Sequence, residues 1–191
     1  AAAAQETTPA PPVAAAAPAA NGPVATFETS LGSFTVQLDA TRAPVTVKNF
    51  VRYATQKHFD GTAFYRVMAG ALIQGGSYDA KGQFVGGLHT PIALEANNGL
   101  KNLRGSIAMA RTDPDTATAE FFIDVAALPS LDHDPADTGD KTGYAVFGQV
   151  TGGMDVVDAI AKGQTGGTGP FGPGETPVAP VTIEKVTISG T

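Results

Sequence analysis

Short apolar runs, many of them alternating every second residue, fill the sequence after residue 23 and constrain its fold most strongly. Gly-, Asp- and Pro-rich connections separate them, and the Ser30-Leu31-Gly32 turn joins the first two into a hairpin. The later runs cover residues 62–68, 72–74, 106–110, 120–125, 145–150 and 181–189. The pattern therefore predicts about eight short β-strands.

Two helices are predicted beside these strands. Pro44 opens the first, in which Val47, Phe50, Val51 and Ala54 form one apolar stripe. The second covers residues 154–162, and its apolar side consists of Met154, Val157, Ile160 and Ala161. Because strands and helices do not alternate regularly, a doubly wound parallel sheet is disfavoured. We predict a mainly β fold, a closed antiparallel barrel whose open ends are covered by the two helices.

The first 23 of the 191 residues hold 11 Ala and 5 Pro but a single charge, Glu6. This composition offers little apolar area to offset the entropy cost of ordering, which predicts a disordered tether over residues 1–23. No basic region precedes an apolar stretch, so an intact signal peptide is not predicted, although removal of one could leave such an N-terminus. Residues 24–191 are the right length for one domain.

Charge and composition exclude several functions. The chain has 12 Lys and Arg against 18 Asp and Glu, a net charge of −6, which argues against nucleic acid as the main partner. It has no Cys, so thiolate catalysis, disulfides and Cys-ligated metals are excluded. No apolar stretch approaches 18 residues, so no transmembrane helix and no membrane insertion are predicted.

Three sequence features resemble functional motifs but lack the necessary context. Residues 167–172 read G-x-G-x-x-G, but Pro170 and Pro173 prevent the helix that should begin there, so we predict a mobile loop. The acidic segment 132–140 could begin a calcium-binding loop, but the twelfth position counted from Asp132 is Gly143, where an EF-hand needs a carboxylate. The three histidines, of which none has a partner four residues away, are His58, His89 and His133. We predict neither a metal site nor a cofactor.

Arg66 lies in an otherwise apolar run, 62–68. Strand alternation predicts that Phe64 and Arg66 project from the same face, although Arg is seldom buried without a partner. Arg66 could lie at the barrel rim with its charge in water, or its guanidinium could be held rigidly at the mouth of a pocket. Periodicity alone favours the rim.

Six motifs occur in a fixed order along residues 24–189 and together carry more information than any one alone. They are Phe64-Tyr65-Arg66-Val67, Gln74-Gly75-Gly76, residues 105–111, Glu120-Phe121-Phe122-Ile123, Leu131-Asp132-His133 and residues 144–148. This set resembles the cyclophilin family of peptidyl-prolyl cis-trans isomerases, and most closely its bacterial periplasmic branch. The resemblance implies an eight-stranded antiparallel barrel capped by two helices, in agreement with the strand count.

The resemblance also implies a non-covalent reaction, rotation about an Xaa-Pro bond, that needs no nucleophile and no cofactor. Arg66 would donate to the prolyl nitrogen, Gln74 would hold Arg66, and Phe122 would complete the catalytic set. Substrate contacts are implied for Ala71, Leu72, Ala110, Arg111, Glu120, Leu131 and Tyr144. The expected partners are proline-containing polypeptides.

Three positions depart from the family pattern. Ala71 stands where Phe is usual, Glu120 replaces a usual Gln, and Ser130 stands where Trp or another aromatic is usual. Ser130 predicts weak or no cyclosporin binding. Ala71 and Glu120 leave an alternative open, a proline-recognising binding or chaperone module with little turnover. A third alternative is an extracytoplasmic scaffold that keeps the barrel for stability only.

The expected setting is the folding of exported proteins. The Ala/Pro tether, the lack of Cys and the periplasmic resemblance together predict a periplasmic or secreted protein. We expect a monomer, since no long exposed apolar segment argues for a dimer.

Overall fold

The computed structural model describes residues 22–136 and 142–190. The predicted tether lies outside the described residues except for its last two, and the acidic segment is described only up to residue 136. The strands are β1 (Val24–Thr29), β2 (Gly32–Leu38), β3 (Thr62–Met68), β4 (Leu72–Asp79), β5 (Ser106–Met109), β6 (Phe121–Asp124), β7 (Val146–Gly152) and β8 (Val181–Ser189). The helices are α1 (Pro44–Thr55) and α2 (Met154–Ala161), and a 3-10 turn covers Pro129–Leu131.

The eight strands close into one barrel in the order β1-β2-β7-β5-β6-β4-β3-β8. Every neighbouring pair is antiparallel, including β1 with β8, which closes the barrel. Closure leaves no unpaired sheet edge to cover. The predicted fold, a mainly β closed barrel of eight antiparallel strands with two helices, is confirmed.

Aromatic side chains fill much of the barrel interior. The rings of Phe27 and Phe34 stack with centroids 4.6 Å apart, and Phe50 of α1 packs edge-on against Phe121 at 5.8 Å. The other fully buried phenylalanines in this cluster are Phe59, Phe64 and Phe147. Offset and edge-on pairs of this kind stabilise a core beyond the area they bury.

Both predicted helix stripes are confirmed. Val47, Phe50 and Ala54 of α1 are buried, whereas Lys48 and Arg52 on the opposite face are exposed. In α2 the buried residues are Val157, Ile160 and Ala161. Neither helix, nor any other in the described part of the chain, is long and apolar enough to span a bilayer.

The predicted orientation of β3 is wrong at one end. Phe64 packs in the barrel interior, as does Val67, three residues further on, so the two-residue alternation slips between them. The pairing of β3 with β4 is irregular between Phe64 and Arg66, which accounts for the slip. Arg66 and Phe64 therefore point to opposite sides of the barrel wall.

Candidate active site

A groove of about 520 Å³ lies against the outer face of the barrel wall. Phe121 and Ile123 of β6 point into the barrel, so Phe122 between them points outward. By the same alternation Leu72 and Gln74 face the groove on either side of the inward-facing Ile73. The groove is thus built from the outward-facing residues of the strands whose other faces form the core.

Arg66 lies at one side of this groove and Gln74 holds it there. The Nη1 of Arg66 donates to Oε1 of Gln74 at 3.0 Å. The other end of the Gln74 amide, Nε2, donates to Oε2 of Glu120 at 3.1 Å and to the Tyr65 hydroxyl at 3.2 Å. Because a carboxylate only accepts, Glu120 fixes which end of the amide faces Arg66. Glu120 therefore acts on Arg66 through Gln74.

The buried Tyr65 also helps to hold Gln74 in place. It is almost fully buried, and burial, together with the nearby Glu120 carboxylate, raises the pKa of the Tyr65 hydroxyl far above its ordinary value. The hydroxyl therefore stays neutral and can accept from Gln74. Gln74 itself is 4% exposed, so it has little freedom to leave this position.

The floor of the groove is apolar. Leu72 and Phe122 belong to a small hydrophobic cluster with Ala108 and Val146, distinct from the barrel core. Leu131 packs against this cluster, and the ring of Tyr144 meets that of Phe122 edge-on at 5.4 Å. A compact apolar group bound here would be desolvated next to the guanidinium of Arg66.

Arg111 belongs to the opposite wall. Its Nε and Nη2 both donate to the carbonyl oxygen of Gly143, at 3.0 and 2.8 Å, and its Cζ lies 4.8 Å from the Tyr144 ring centre. These contacts tie the segment after β5 to the segment before β7. Arg111 therefore holds the wall of the groove together, whereas Arg66 is held at the other side by Gln74.

The structure brings all ten predicted site residues together along this groove. They are Arg66, Gln74, Phe122, Ala71, Leu72, Ala110, Arg111, Glu120, Leu131 and Tyr144. Of the two interpretations of Arg66, the one favoured by periodicity, a rim Arg with its charge in water, is wrong, because its side chain is 25% exposed and hydrogen-bonded on two nitrogens.

Comparison with known proteins agrees with this geometry. The family model described as cyclophilin type peptidyl-prolyl cis-trans isomerase matches residues 24–188. This is most of the chain and includes every strand of the barrel except the last residue of β8. The chain belongs to the cyclophilin family of peptidyl-prolyl cis-trans isomerases. The predicted enzyme class is thereby confirmed.

Individual cyclophilins match over similar lengths. Peptidyl-prolyl cis-trans isomerase A of Dickeya dadantii is 44% identical over 163 residues, which are 84% of this chain and 81% of the relative. Peptidyl-prolyl cis-trans isomerase B of Escherichia coli is 42% identical over 165 residues, 86% of this chain and 98% of the relative. A solved cyclophilin from Cryptosporidium parvum, studied in the presence of the dipeptide Ala-Pro, has the same fold with a TM-score of 0.71 at 22% identity, covering 88% of this chain and 99% of its own.

The three departures from the cyclophilin pattern all lie at the groove. Ala71 and Ser130 line it directly, and Glu120 both lines it and binds Gln74. Glu120 accepts a hydrogen bond from Gln74, whereas the carboxylate that pairs with the Arg66 guanidinium is another one, Glu175. The carboxylate that replaces the usual Gln thus lies one hydrogen-bonded residue away from the guanidinium.

Sequence reasoning missed two residues of this cyclophilin's site. Phe171 lines the groove, and Glu175 accepts a hydrogen bond from Nε of Arg66 at 2.5 Å. Both lie in the loop between α2 and β8, where the rejected G-x-G-x-x-G motif occurs. Residues 167–172 lie in neither a helix nor a strand, as predicted, whereas the mobility of this loop stays a prediction. The available signal was Arg66, a cation in an apolar strand that requires a partner.

Proposed function

We propose that this cyclophilin accelerates rotation about Xaa-Pro peptide bonds bound in the groove beside Arg66. The observation that carries the proposal is the guanidinium of Arg66, held by Gln74 at the edge of an apolar floor made by Leu72, Phe122 and Leu131. A proline ring is a compact apolar group, and its nitrogen is the atom whose bonding changes during rotation.

The barrier to this rotation is about 18–20 kcal/mol, because twisting the amide destroys its resonance. In the twisted state the prolyl nitrogen regains a lone pair, to which the always-protonated guanidinium of Arg66 donates. A hydrogen bond from a charged donor contributes about 1.5–3 kcal/mol, one to two decades of rate, if it forms only in the twisted state. No bond to the enzyme forms, and no proton leaves either partner.

Binding of the residues before proline is assigned to the wall at Ala110 and Arg111, which lines the groove opposite Arg66. Tyr144 and Leu131 close the side of the ring pocket next to Phe122. Ala71 widens the pocket where the family pattern has Phe. These assignments make the groove a site for extended proline-containing polypeptides.

The proposal is tested by a protease-free isomerisation assay on Xaa-Pro peptides, with wild type beside Arg66→Ala. We expect kcat/KM to fall by about 10- to 100-fold in the variant, since the charged donor is lost. Equal turnover in the two proteins would refute the proposed mechanism. Peptide binding with near-background rates in both would instead support the alternative, a proline-binding module with weak turnover.

The proposed setting is the folding of exported proteins, by a monomer in the periplasm or outside the cell. The support is the composition of the first 23 residues and the absence of Cys from the whole sequence. Cell fractionation tests the location and sedimentation tests the monomer; a cytoplasmic protein or a dimer would contradict them.

We propose that cyclosporin binds weakly or not at all, because Ser130 lines the groove where the family pattern has an aromatic residue. An inhibition titration measures this directly. Nanomolar inhibition would contradict it.

A further inference from the structure

The loop between α2 and β8, residues 162–180, has an ordered internal structure. The amides of Gly166 and Gly167 both donate to the carbonyl oxygen of Thr176 at 3.0 Å, and the amide of Val178 donates to Gln164 at 2.8 Å. Thr176 is 3% exposed, and a Cβ on Gly169 would lie only 2.7 Å from its Cγ2 atom. These contacts join the two arms of the 162–180 loop and define its conformation in the structure.

Glu175 attaches this loop to β3 beside Arg66. The pairing of β3 with β8 extends only over Ala63 and Phe64. Further along β3, the amide of Val67 donates to the carbonyl oxygen of Glu175 at 2.8 Å. The same residue's Oε2 accepts from Nε of Arg66. Backbone and side chain of Glu175 thus grip two consecutive residues of β3.

Phe171, from the same loop, covers the face of the guanidinium. Its ring centre lies 4.5 Å from Cζ of Arg66, and the ring stacks on that of Tyr65 with centroids 5.7 Å apart and planes 15° apart. Tyr65 also accepts from Gln74, so the ring and the amide that hold Arg66 rest on one buried residue. A cation over an aromatic face is held without being neutralised.

We propose that Glu175 and Phe171 are positioning residues for Arg66 in the isomerase reaction. Glu175 and Gln74 fix the orientation of the guanidinium through Nε and Nη1, and Phe171 packs against its face and limits movement in that direction. Among the hydrogen bonds of residues 22–136 and 142–190, none uses Nη2 of Arg66, which leaves this nitrogen to donate to bound peptide. The inference rests on the proposed function of Arg66.

Positioning and neutralisation predict opposite effects of Glu175. The side chains of Arg66 and Glu175 are 25% and 34% exposed, so water screens their mutual attraction and weakens any loss of positive potential. Water does not cancel the second effect of Glu175, which is to select one conformation of the Arg66 side chain through its hydrogen bond to Nε. Without that bond Arg66 could adopt many rotamers. Removing the carboxylate should therefore slow the reaction rather than speed it.

The test measures kcat and KM separately for Glu175→Gln, with Glu184→Gln as a control that makes the same charge change at an exposed site of β8. We expect kcat to fall about three- to tenfold for Glu175→Gln, with KM and the melting temperature nearly unchanged. The control should match wild type. A wild-type or higher kcat for Glu175→Gln, or an effect on KM alone, overturns the proposal.

Phe171 is tested with two replacements. Phe171→Tyr keeps the aromatic face and should retain wild-type kcat, whereas Phe171→Leu removes it and should lower kcat by about threefold. Phe84→Leu, an exposed aromatic outside the groove, is the matched control. Equal kcat for the Tyr and Leu replacements overturns the role of the ring.

Two further measurements separate positioning from a general effect on the fold. The NMR signal of the Arg66 Nε–H group should move toward the position of a free Arg in Glu175→Gln; an unmoved signal overturns the proposal. In an Arg66→Ala background Glu175→Gln should change nothing further, and additive losses overturn it. If Arg66→Ala turns over substrate like wild type, the proposed function itself is refuted. If Arg66→Ala is slow but the Glu175 and Phe171 variants have wild-type kcat, only the positioning role is refuted.

Discussion

At the scale of single residues, Arg66 shows what sequence reasoning can and cannot reach. Its place in an apolar strand indicates that it has a partner, and the family motif indicates Gln74, eight residues away. Glu175 lies 109 residues from Arg66, and no local pattern links the two. Such a contact arises from the closure of the barrel, which a periodicity argument along one strand cannot detect.

Ala71 is the departure whose effect can be measured most simply. Phe171 already provides an aromatic side chain to the groove, so the site is not without an aromatic wall. Ala71→Phe adds apolar area that contacts the proline ring equally in all its states, which lowers KM about three- to tenfold and leaves kcat nearly unchanged. The isomerisation assay measures both constants. A raised KM, which would mean that the new ring excludes substrate, would contradict this.

At the scale of elements, the strands and helices that depend on local pattern are predictable. The bounds 62–68 and 181–189 of β3 and β8 agree with the structure. In contrast, β4 continues to Asp79, beyond the predicted end at 74, because Gly75 and Gly76 have no side chains to show an alternation. The slip within β3 is equally hidden, since it depends on the pairing with β4.

Gly76 allows β4 to lie close to the segment that carries Glu120. It has a φ of 119°, and a Cβ there would lie 2.5 Å from the carbonyl oxygen of Ala119. Gly76→Ala should lower the free energy of unfolding by about 1–3 kcal/mol more than Gly70→Ala, whose Cβ would meet nothing within 4 Å at a φ of 73°. Urea denaturation compares them. Equal losses in the two variants would show that the close approach does not matter.

At the scale of the whole molecule, the barrel carries a buried acid that the reaction does not use. Asp124, at the end of β6, is 0% exposed, and neither carboxylate oxygen has a hydrogen-bond partner within the described residues. Burial, and to a smaller extent the nearby Asp132, raises the pKa of Asp124 to about 8. The folded chain therefore keeps this group protonated at neutral pH.

This raised pKa makes the stability of the barrel depend on pH. Below the ordinary pKa of 3.8 both states are protonated, so ionisation of Asp124 contributes nothing to the free energy of unfolding. As the pH rises from there to about 8 only the unfolded chain ionises, so the free energy of unfolding falls, and it levels off above the folded-state pKa. Asp124→Asn keeps the shape without the titration, and should be more stable than wild type by up to about 4 kcal/mol near neutral pH.

Urea denaturation at about pH 4 and about pH 7.5 measures this difference, which should be small at the lower pH and large at the higher. Asp113→Asn, at an exposed position, is the control and should show no such trend. A pH-independent difference between wild type and Asp124→Asn would contradict the assignment.

The central claim concerns the whole site: a guanidinium held in a fixed orientation beside an apolar floor accelerates cis-trans isomerisation of Xaa-Pro bonds. Arg66→Lys tests it most directly, because Lys keeps the positive charge but cannot bond Gln74 and Glu175 through a planar fork. Exchange NMR on an Ala-Pro peptide measures binding and cis-trans exchange in one sample. We predict that Arg66→Lys binds the peptide about as well as wild type but exchanges it at least about tenfold more slowly. Exchange at the wild-type rate in Arg66→Lys would contradict the account.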